Sequence, residues 1–470
     1  SSTACFWLKQ NSHNKGNEGY QSGIKSENWE RFWEFTGTTL QDYPLPSELP
    51  VERGRELDRL AQQLSDCSPS AVSAAQTPSV GVLAEAAQQS NEIRARMMAA
   101  QEELDWEVYR LYGLIDDNLT YVGDDLPGIA LGERAFEIAL ARAVQAGEET
   151  TAWFTRHGST PITEIPQHWP AAYRDLVQRR LDLIATDPNI RLLEKPEYKR
   201  RWAQESWEKR QERAVRDWLL DRLEDRRFWF DGQGRPQPRT VAHLADEVAR
   251  DEHLLSVLGV WEGRPDVPVT SSLTRLLADE AVPYLAAYRY KECGLRKRAA
   301  WEHTWALQRR EDAGETLSAP IPVPPKYTSA DFRKASYWHH RGKLDVPKER
   351  FILYPDAGRE TDSTALLGWA GWGHAQQALA LSLILSAREA DGWDDERLIP
   401  LVAGLAELQP WVDQWHGEID PIYGVSLAAF CAEQLSARRS QVGRTPAQLA
   451  EWRPASAGLT RRLGNGGRRS

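Results

Sequence analysis

The chain has 470 residues, 41% of them hydrophobic and 27% charged, with a formal net charge of -10. That length predicts about three soluble domains with ordinary cores, and the acidic balance excludes a protein that coats nucleic acid over its whole surface. The longest apolar run, 379–385, is interrupted by Ser382 and falls well short of the roughly 20 residues that span a bilayer, so no membrane partner is expected and the chain reads as cytoplasmic.

It opens on Ser1, with no Met and no basic-then-apolar leader, so a truncated or excised chain is expected rather than a secreted one. In residues 1–50, Ser26-Glu27-Asn28-Trp29-Glu30 has the form of a helix start. Trp29, Phe32, Trp33 and Phe35 then fall largely on one aromatic face, and Pro44 and Pro46 stop it. Leu57, Leu60 and Leu64 predict a helix over 53–64, and Ile93, Met97, Leu104, Val108 and Leu111 a long amphipathic one over 80–112. The Ser- and Ala-rich stretch 65–78 between them reads as a mobile loop.

Helices over 133–147, 170–186 and 195–225 follow, with 158–166 extended by its prolines. The third holds Trp202, Trp207 and Trp218, and 194–227 carries 11 basic and 9 acidic side chains, the pattern of an exposed helix laced with i,i+4 ion pairs. Further helices are predicted over 240–258 and 272–310, then a polyproline-like stretch, 319–327, that cannot occupy a sheet centre. Residues 350–354 are the one clear strand, and 374–390, 395–414 and 421–440 the last helices. The glycine- and arginine-rich tail 456–470 has too little apolar content to fold and is expected to be disordered. The fold class is therefore mainly α, a multi-helix region followed by a small α+β module and a disordered tail.

Charge is polarised along the chain: 285–350 holds 14 Lys and Arg against 8 Asp and Glu, whereas 389–420 holds 9 acids against Arg397 alone. Cys5, Cys67, Cys293 and Cys431 form no C-x-x-C pair and lack a histidine at ligand spacing, which predicts buried free thiols rather than disulfides or zinc. His339 and His340 are adjacent and diverge on a strand or a helix, and Glu302-His303 lacks a second His at the zinc-protease spacing, so no metal is expected. The nearest thing to a phosphate loop, Gly368-Trp369-Ala370-Gly371-Trp372-Gly373, puts two tryptophans where close backbone approach is required and reads as a tight turn into a helix.

Methyl transfer to an adenine amino group needs a polar-Pro-Pro-aromatic loop around the flipped base. The one Pro-Pro, in Val323-Pro324-Pro325-Lys326-Tyr327, has valine where an accepting Asn or Asp is needed and Lys326 where a ring would stack, so it reads as structural. What remains is basic residues interleaved with aromatics: Arg289 and Lys291 beside Tyr288 and Tyr290; Arg296, Lys297 and Arg298; and Lys334, His339, His340, Arg341 and Lys343 around Tyr337 and Trp338. Cations that neutralise phosphates beside rings that pack or stack make a nucleic-acid face, with an ordinary solvated surface as the alternative.

The opening Ser1-Ser2-Thr3-Ala4-Cys5-Phe6-Trp7-Leu8-Lys9-Gln10, then His13-Asn14-Lys15-Gly16 and Trp29-Glu30-Arg31-Phe32-Trp33-Glu34-Phe35-Thr36-Gly37-Thr38, resembles the stretch that follows the catalytic domain in large adenine-specific DNA methyltransferases. Trp153-Phe154-Thr155-Arg156-His157-Gly158, Pro196-Glu197-Tyr198-Lys199-Arg200-Arg201-Trp202 and Tyr288-Arg289-Tyr290-Lys291-Glu292 resemble the PglX-type methyltransferases of BREX phage-defence systems. Lys343-Leu344-Asp345-Val346-Pro347-Lys348 through Gly371-Trp372 resembles the C-terminal module of the type 2 version. The resemblance implies a complete protein that binds S-adenosylmethionine, flips an adenine from a non-palindromic site and methylates its N6. The family's methyl-donor and Asn-Pro-Pro-aromatic loops lie before the residue matching Ser1, so the resemblance transfers no catalytic residue and no cofactor to this chain, which is expected to be inactive alone. It divides the chain into the edge of the methyltransferase domain (1–50), a helical spacer and DNA-recognition region (51–315), a C-terminal module (316–455) and the tail (456–470). The implied partners are double-stranded DNA and other BREX proteins; the alternative is a helical scaffold that docks those proteins without binding DNA.

Overall fold

A computed structural model describes residues 1–15, 27–124, 126–341 and 349–454, with only the backbone of Arg341. The tail 456–470 and Lys343 lie outside the described residues. The fold is mainly α, with 21 α-helices and six short strands among the described residues, and the chain divides into two compact units, Ser1–Val215 and Arg216–Ser470.

In the first unit, α1 (Ser2–Gln10) is capped by the Ser1 side chain. The aromatic stretch after Ser26 is not a helix. One 3-10 turn at Asn28–Glu30 is followed by extended chain in which β2 (Trp33–Glu34) pairs antiparallel with β1 (His13–Asn14). Trp29 alone is drawn into a core, edge-on to Trp153 at 5.3 Å, while Phe32 and Phe35 stay exposed; bulky rings suit extended backbone at least as well as helix. After the short α2 (Gly37–Gln41) comes α3 (Val51–Asp66). The expected loop at 65–78 contains α4 (Pro69–Ala75), because Ser68 accepts from the Ala71 N–H and Pro69 sits where a helix needs no donor.

Then α5 (Val80–Leu111) packs against α3, and α6 (Ala135–Gln145) against α8 (Ala171–Thr186), with α7 (Trp153–His157) closed by Gly158 at φ 61° and α9 (Pro188–Leu193) started by Asp187. Met97, Trp106, Tyr109, Tyr173 and Leu181 lie at the centre. The helix expected over 195–225 starts only at α10 (Trp207–Leu223). Before it Lys199 is extended and, like Trp202, buried.

In the second unit, α11 (Arg226–Trp229) leads to a four-stranded sheet in the order β3-β6-β5-β4, built from β3 (Arg239–Thr240), β4 (Ala281–Pro283), β5 (Phe351–Leu353) and β6 (Leu366–Trp369). The strand expected at 350–354 is thus present with three more. β4 runs parallel to β5, and the other pairs are antiparallel. The predicted helix over 240–258 divides into α12 (Val241–Val248) and α13 (Glu252–Glu262), the second capped by Asp251.

The one over 272–310 divides into α14 (Val269–Leu277), β4, α15 (Ala286–Arg289) and α16 (Glu292–Asp312). Pro283 has no N–H to continue a helix and sits in the edge strand, where none is required. α17 (Ala335–Arg341) follows, then α18 (His374–Ala390), α19 (Asp395–Trp415), α20 (Leu427–Gln441) and α21 (Pro446–Ala450), with α18, α19 and α20 packed together.

Candidate nucleic-acid interface

Two basic runs that are distant in sequence meet in the second unit. Tyr290 forms a β-bridge with Phe332; the Lys291 N–H donates to the Asp331 carbonyl and the Arg333 N–H to the Arg289 carbonyl, each at 2.9 Å. The Arg333 Nε also donates to the Tyr290 carbonyl, 43 positions away, at 2.9 Å. A short antiparallel ribbon centred on this one bridge therefore places 289–291, which lead into α16, beside 331–333, which lead into α17.

Asp331 organises this junction. It closes a capping box with Thr328, and its Oδ2 accepts from Lys297 Nζ at 2.7 Å. Burial opposes ionisation, but the hydrogen bonds from Lys297 and Thr328 outweigh it and hold the carboxyl down at about 2. Lys297 also donates to the Lys326 carbonyl at 2.9 Å, so the polyproline-like stretch lies along α16, where Trp301 Nε1 reaches the Pro325 carbonyl and Thr304 Oγ1 the Pro322 carbonyl, both at 3.1 Å. A Cβ on Gly294 would collide with the Asp331 carbonyl, which is why this turn of α16 has none.

The rings read as part of a nucleic-acid face pack on each other. Tyr290, Phe332 and Tyr337 are buried in one cluster with Trp338 and Tyr327 against it; Tyr290 and Phe332 are 4.8 Å apart, and Tyr290 stacks on Tyr327 at 5.3 Å.

The cations separate into two sets. Arg289 is buried: its Nη1 donates to the carbonyls of Pro283 and Tyr284 and its Nη2 lies 2.8 Å from Glu407. Arg298 bridges Glu407 at 2.7 Å and Glu302 at 2.8 Å. Burial would push Glu407 up, but Arg298 and then Arg289 hold its carboxyl below the usual range. His340 Nε2 is 3.8 Å from Glu280.

By contrast Lys291, Arg296, Lys334 and His339 are exposed, as are Arg333 and Lys326, and none of Lys291, Arg296 and Lys334 has an ion-pair partner among the described residues. Lys334 lies 5.6 Å over the Tyr337 ring. The nearby acid Glu292 is engaged by Arg453 at 2.9 Å. Asp331, Arg333 and Glu407 were not singled out from sequence, and Lys326 was read only as part of the structural Pro-Pro stretch; the capping-box spacing Thr328-x-x-Asp331 is the signal that could have found the first.

The first unit holds an ionic cluster of a different kind. Glu102, Glu103 and Asp105 of α5, Arg180 of α8, and Glu194 and Lys199 are all buried. Arg180 pairs with Glu103 at 2.7 Å and donates to the Leu119 carbonyl. Lys199 reaches Asp105 at 3.2 Å and Glu194, and Tyr109 donates to Glu194 at 2.6 Å. Asp105 in turn accepts from the backbone and hydroxyl of Ser2 at 3.0 and 2.7 Å, pinning α1. Four carboxylates face two cations in this cluster. Burial, opposed by Lys199 and reinforced by Glu102, pushes Glu194 up to about 7. Among the described residues no group of three or more His, Cys, Asp or Glu side chains is arranged to hold a metal ion, and no helix is long and apolar enough to cross a membrane.

Residues 97–463 match the family described as a domain of unknown function, DUF7008. Over 477 aligned residues, 98% of its length, the chain is 48% identical to the adenine-specific methyltransferase PglX of Streptomyces coelicolor, and it spans 39% of that relative. No solved structure matches it.

Proposed function

Since this chain belongs to the DUF7008 family, we propose that it supplies a PglX-type, adenine-specific DNA methyltransferase with the part that recognises target DNA, and that the enzyme so completed acts with other BREX proteins in phage defence. The observation that carries this reading is the ribbon between 289–291 and 331–333, which gathers the unpaired Lys291, Arg296 and Lys334 about one rigid aromatic core. Unpaired, solvent-facing cations release counterions when they meet phosphates. Paired ones such as Arg289 and Arg298 hold the frame, so DNA contact falls to Lys291, Arg296, Lys334 and His339, with Arg333 and Lys326 beside them. The similarity to an enzyme named for adenine methylation supports DNA as the ligand.

S-adenosylmethionine would be the methyl donor of such an enzyme, and among the described residues the two stretches nearest to a methyltransferase loop, 368–373 and 323–327, do not fit it. The backbone of Gly368 is covered by Trp372 and Tyr354, and that of Gly371 by Trp369, so indole rings occupy the space a nucleoside would need. Pro324-Pro325 is strapped along α16 by Trp301 and Thr304.

Fluorescence anisotropy of a labelled duplex, titrated with the 470-residue chain across a range of NaCl concentrations, tests the reading. Binding at about 50 mM salt is expected, and the triple variant Lys291→Ala, Arg296→Ala, Lys334→Ala should flatten the log-log salt slope by about 2–3. Absence of binding at about 50 mM salt overturns it.

One observation favours the scaffold reading beside it. Trp415 at the end of α19 and Ile419, Ile422 and Val425 between α19 and α20 are all exposed, a set of anchors suited to a protein partner. Capture of other BREX proteins by the chain in nuclease-treated solution, lost on Trp415→Ser and Ile419→Ser, is the result that reading expects.

A further inference from the structure

Single exposed apolar side chains are ordinary, but a run of them on ordered backbone marks a covered surface. Between Trp29 and Leu60 no residue is buried. Yet this stretch contains Phe32, Phe35, Leu40, Leu45, Leu49 and Val51, which range from 46% exposed at Val51 to 69% at Leu45.

The backbone beneath them is fixed. β2 is paired to β1, the Tyr43 ring is edge-on to Trp7 at 5.4 Å, and the hydroxyl of Tyr112, the residue that ends α5, donates to the Pro44 carbonyl at 2.6 Å and lies 2.8 Å from the Tyr43 hydroxyl. Arg53 is paired with Glu107 at 3.1 Å. The stretch is tethered through Tyr43, Pro44 and Arg53 while its six large apolar side chains stay exposed, and α2 within it has no buried residue at all.

Three observations identify what covers it. The DUF7008 match starts at residue 97, whereas similarity to the Streptomyces coelicolor relative extends over 98% of the chain. The strip therefore belongs to what the chain shares with a much longer protein and not to the DUF7008 domain. More than half of that relative lies outside the match, since the chain spans 39% of it. Residues 32–51 also carry Asp42 and Glu48, besides a Glu34 that Lys15 pairs at 3.8 Å, and no Lys or Arg, so two copies laid face to face would oppose like charges.

We propose that the strip of Phe32, Phe35, Leu40, Leu45, Leu49 and Val51 is the seat of the polypeptide that corresponds to the unmatched part of this relative, an apolar surface with a basic rim. This inference does not depend on the DNA contacts of α16 and α17.

The test is hydroxyl-radical footprinting of two proteins: the 470-residue chain, and a full-length chimera in which this chain replaces the matching part of the Streptomyces coelicolor relative. Labelling of Phe32, Phe35, Leu40 and Leu45 should fall at least about fivefold in the chimera. The double variant Phe35→Asp, Leu45→Asp should restore labelling of Phe32 and Leu40 there, while leaving the melting of the 470-residue chain unchanged, because neither side chain is buried in it. Equal labelling in the two proteins overturns the proposal. So does protection in the 470-residue chain that grows with its concentration, which would make a second copy the occupant.

Discussion

Glu407 ties three parts of the second unit together, because it accepts from Arg289, Arg298 and the Ala286 N–H at once. Removing one partner of a buried ion group leaves the others desolvated and unpaired, at a cost of about 3–5 kcal/mol. Glu407→Ala should therefore lower the denaturant midpoint of this unit strongly, and Glu407→Gln by less, since the amide oxygen still accepts one bond; equal effects in urea melts would refute the ion-pair account. Glu194 makes the complementary prediction in pH. Its carboxyl loses a proton near 4.5 in the unfolded chain but at about 7 when folded, so between those values the folded form binds more proton and stability falls as pH rises. The contribution is whole below 4.5 and lost above about 7. Calorimetry at about pH 5 and about pH 8 should show the first unit melting lower at the higher pH, and Glu194→Gln should remove that difference. Neither role was legible in the sequence, because burial of Glu102, Glu103 and Asp105 places charge where a helical wheel expects solvent, and only long-range partners make that tolerable.

Elements show a similar division between local and long-range causes. Gly294 lies inside α16, where an exposed glycine exchanged for alanine would gain up to about 1 kcal/mol. Here the added methyl would meet the Asp331 carbonyl and the Tyr290 ring, so Gly294→Ala should instead cost about 1–3 kcal/mol and weaken duplex binding, by opening the ribbon. A stabilised variant with unchanged DNA affinity would show that the ribbon does not position the cations. The helices starting at 80, 374 and 395 were legible because their signals are local: Ser79 and Asp394 cap two of them, and each carries a helical apolar period. The sheet was mostly not. β3, β4 and β6 are only two to four residues long, too short for an alternating pattern, and the pairing of β3 and β4 is settled by partners more than 60 positions away. Pro283 did signal a break in the expected helix over 272–310, but the basic and apolar periodicity on either side of it concealed the strand.

At the scale of the whole molecule, the sequence separates a basic stretch at 285–350 from an acidic one at 389–420, and folding brings them together. Glu407 of α19 neutralises Arg289 and Arg298 of the basic stretch, while Gln414 accepts from Arg309 at 2.7 Å. The local excess of positive charge counted along the chain is thus partly consumed by internal pairing, and the net charge remains -10. Phosphate binding then rests on the few cations left over, and the number of counterions released must be correspondingly small. With three to five free cations at the ribbon, log Kd against log salt should have a slope of magnitude about 3–4.5, far below what fourteen basic residues would suggest. Anisotropy titrations between about 50 and 200 mM NaCl measure it directly. A magnitude of about 6, ~0.9 for each of seven cations, would mean that Arg289 and Arg298 leave Glu407 to reach the duplex, and the Glu407→Gln variant would then bind DNA more tightly than the parent; a slope near 3–4.5 with no gain from Glu407→Gln is the outcome that the paired geometry requires.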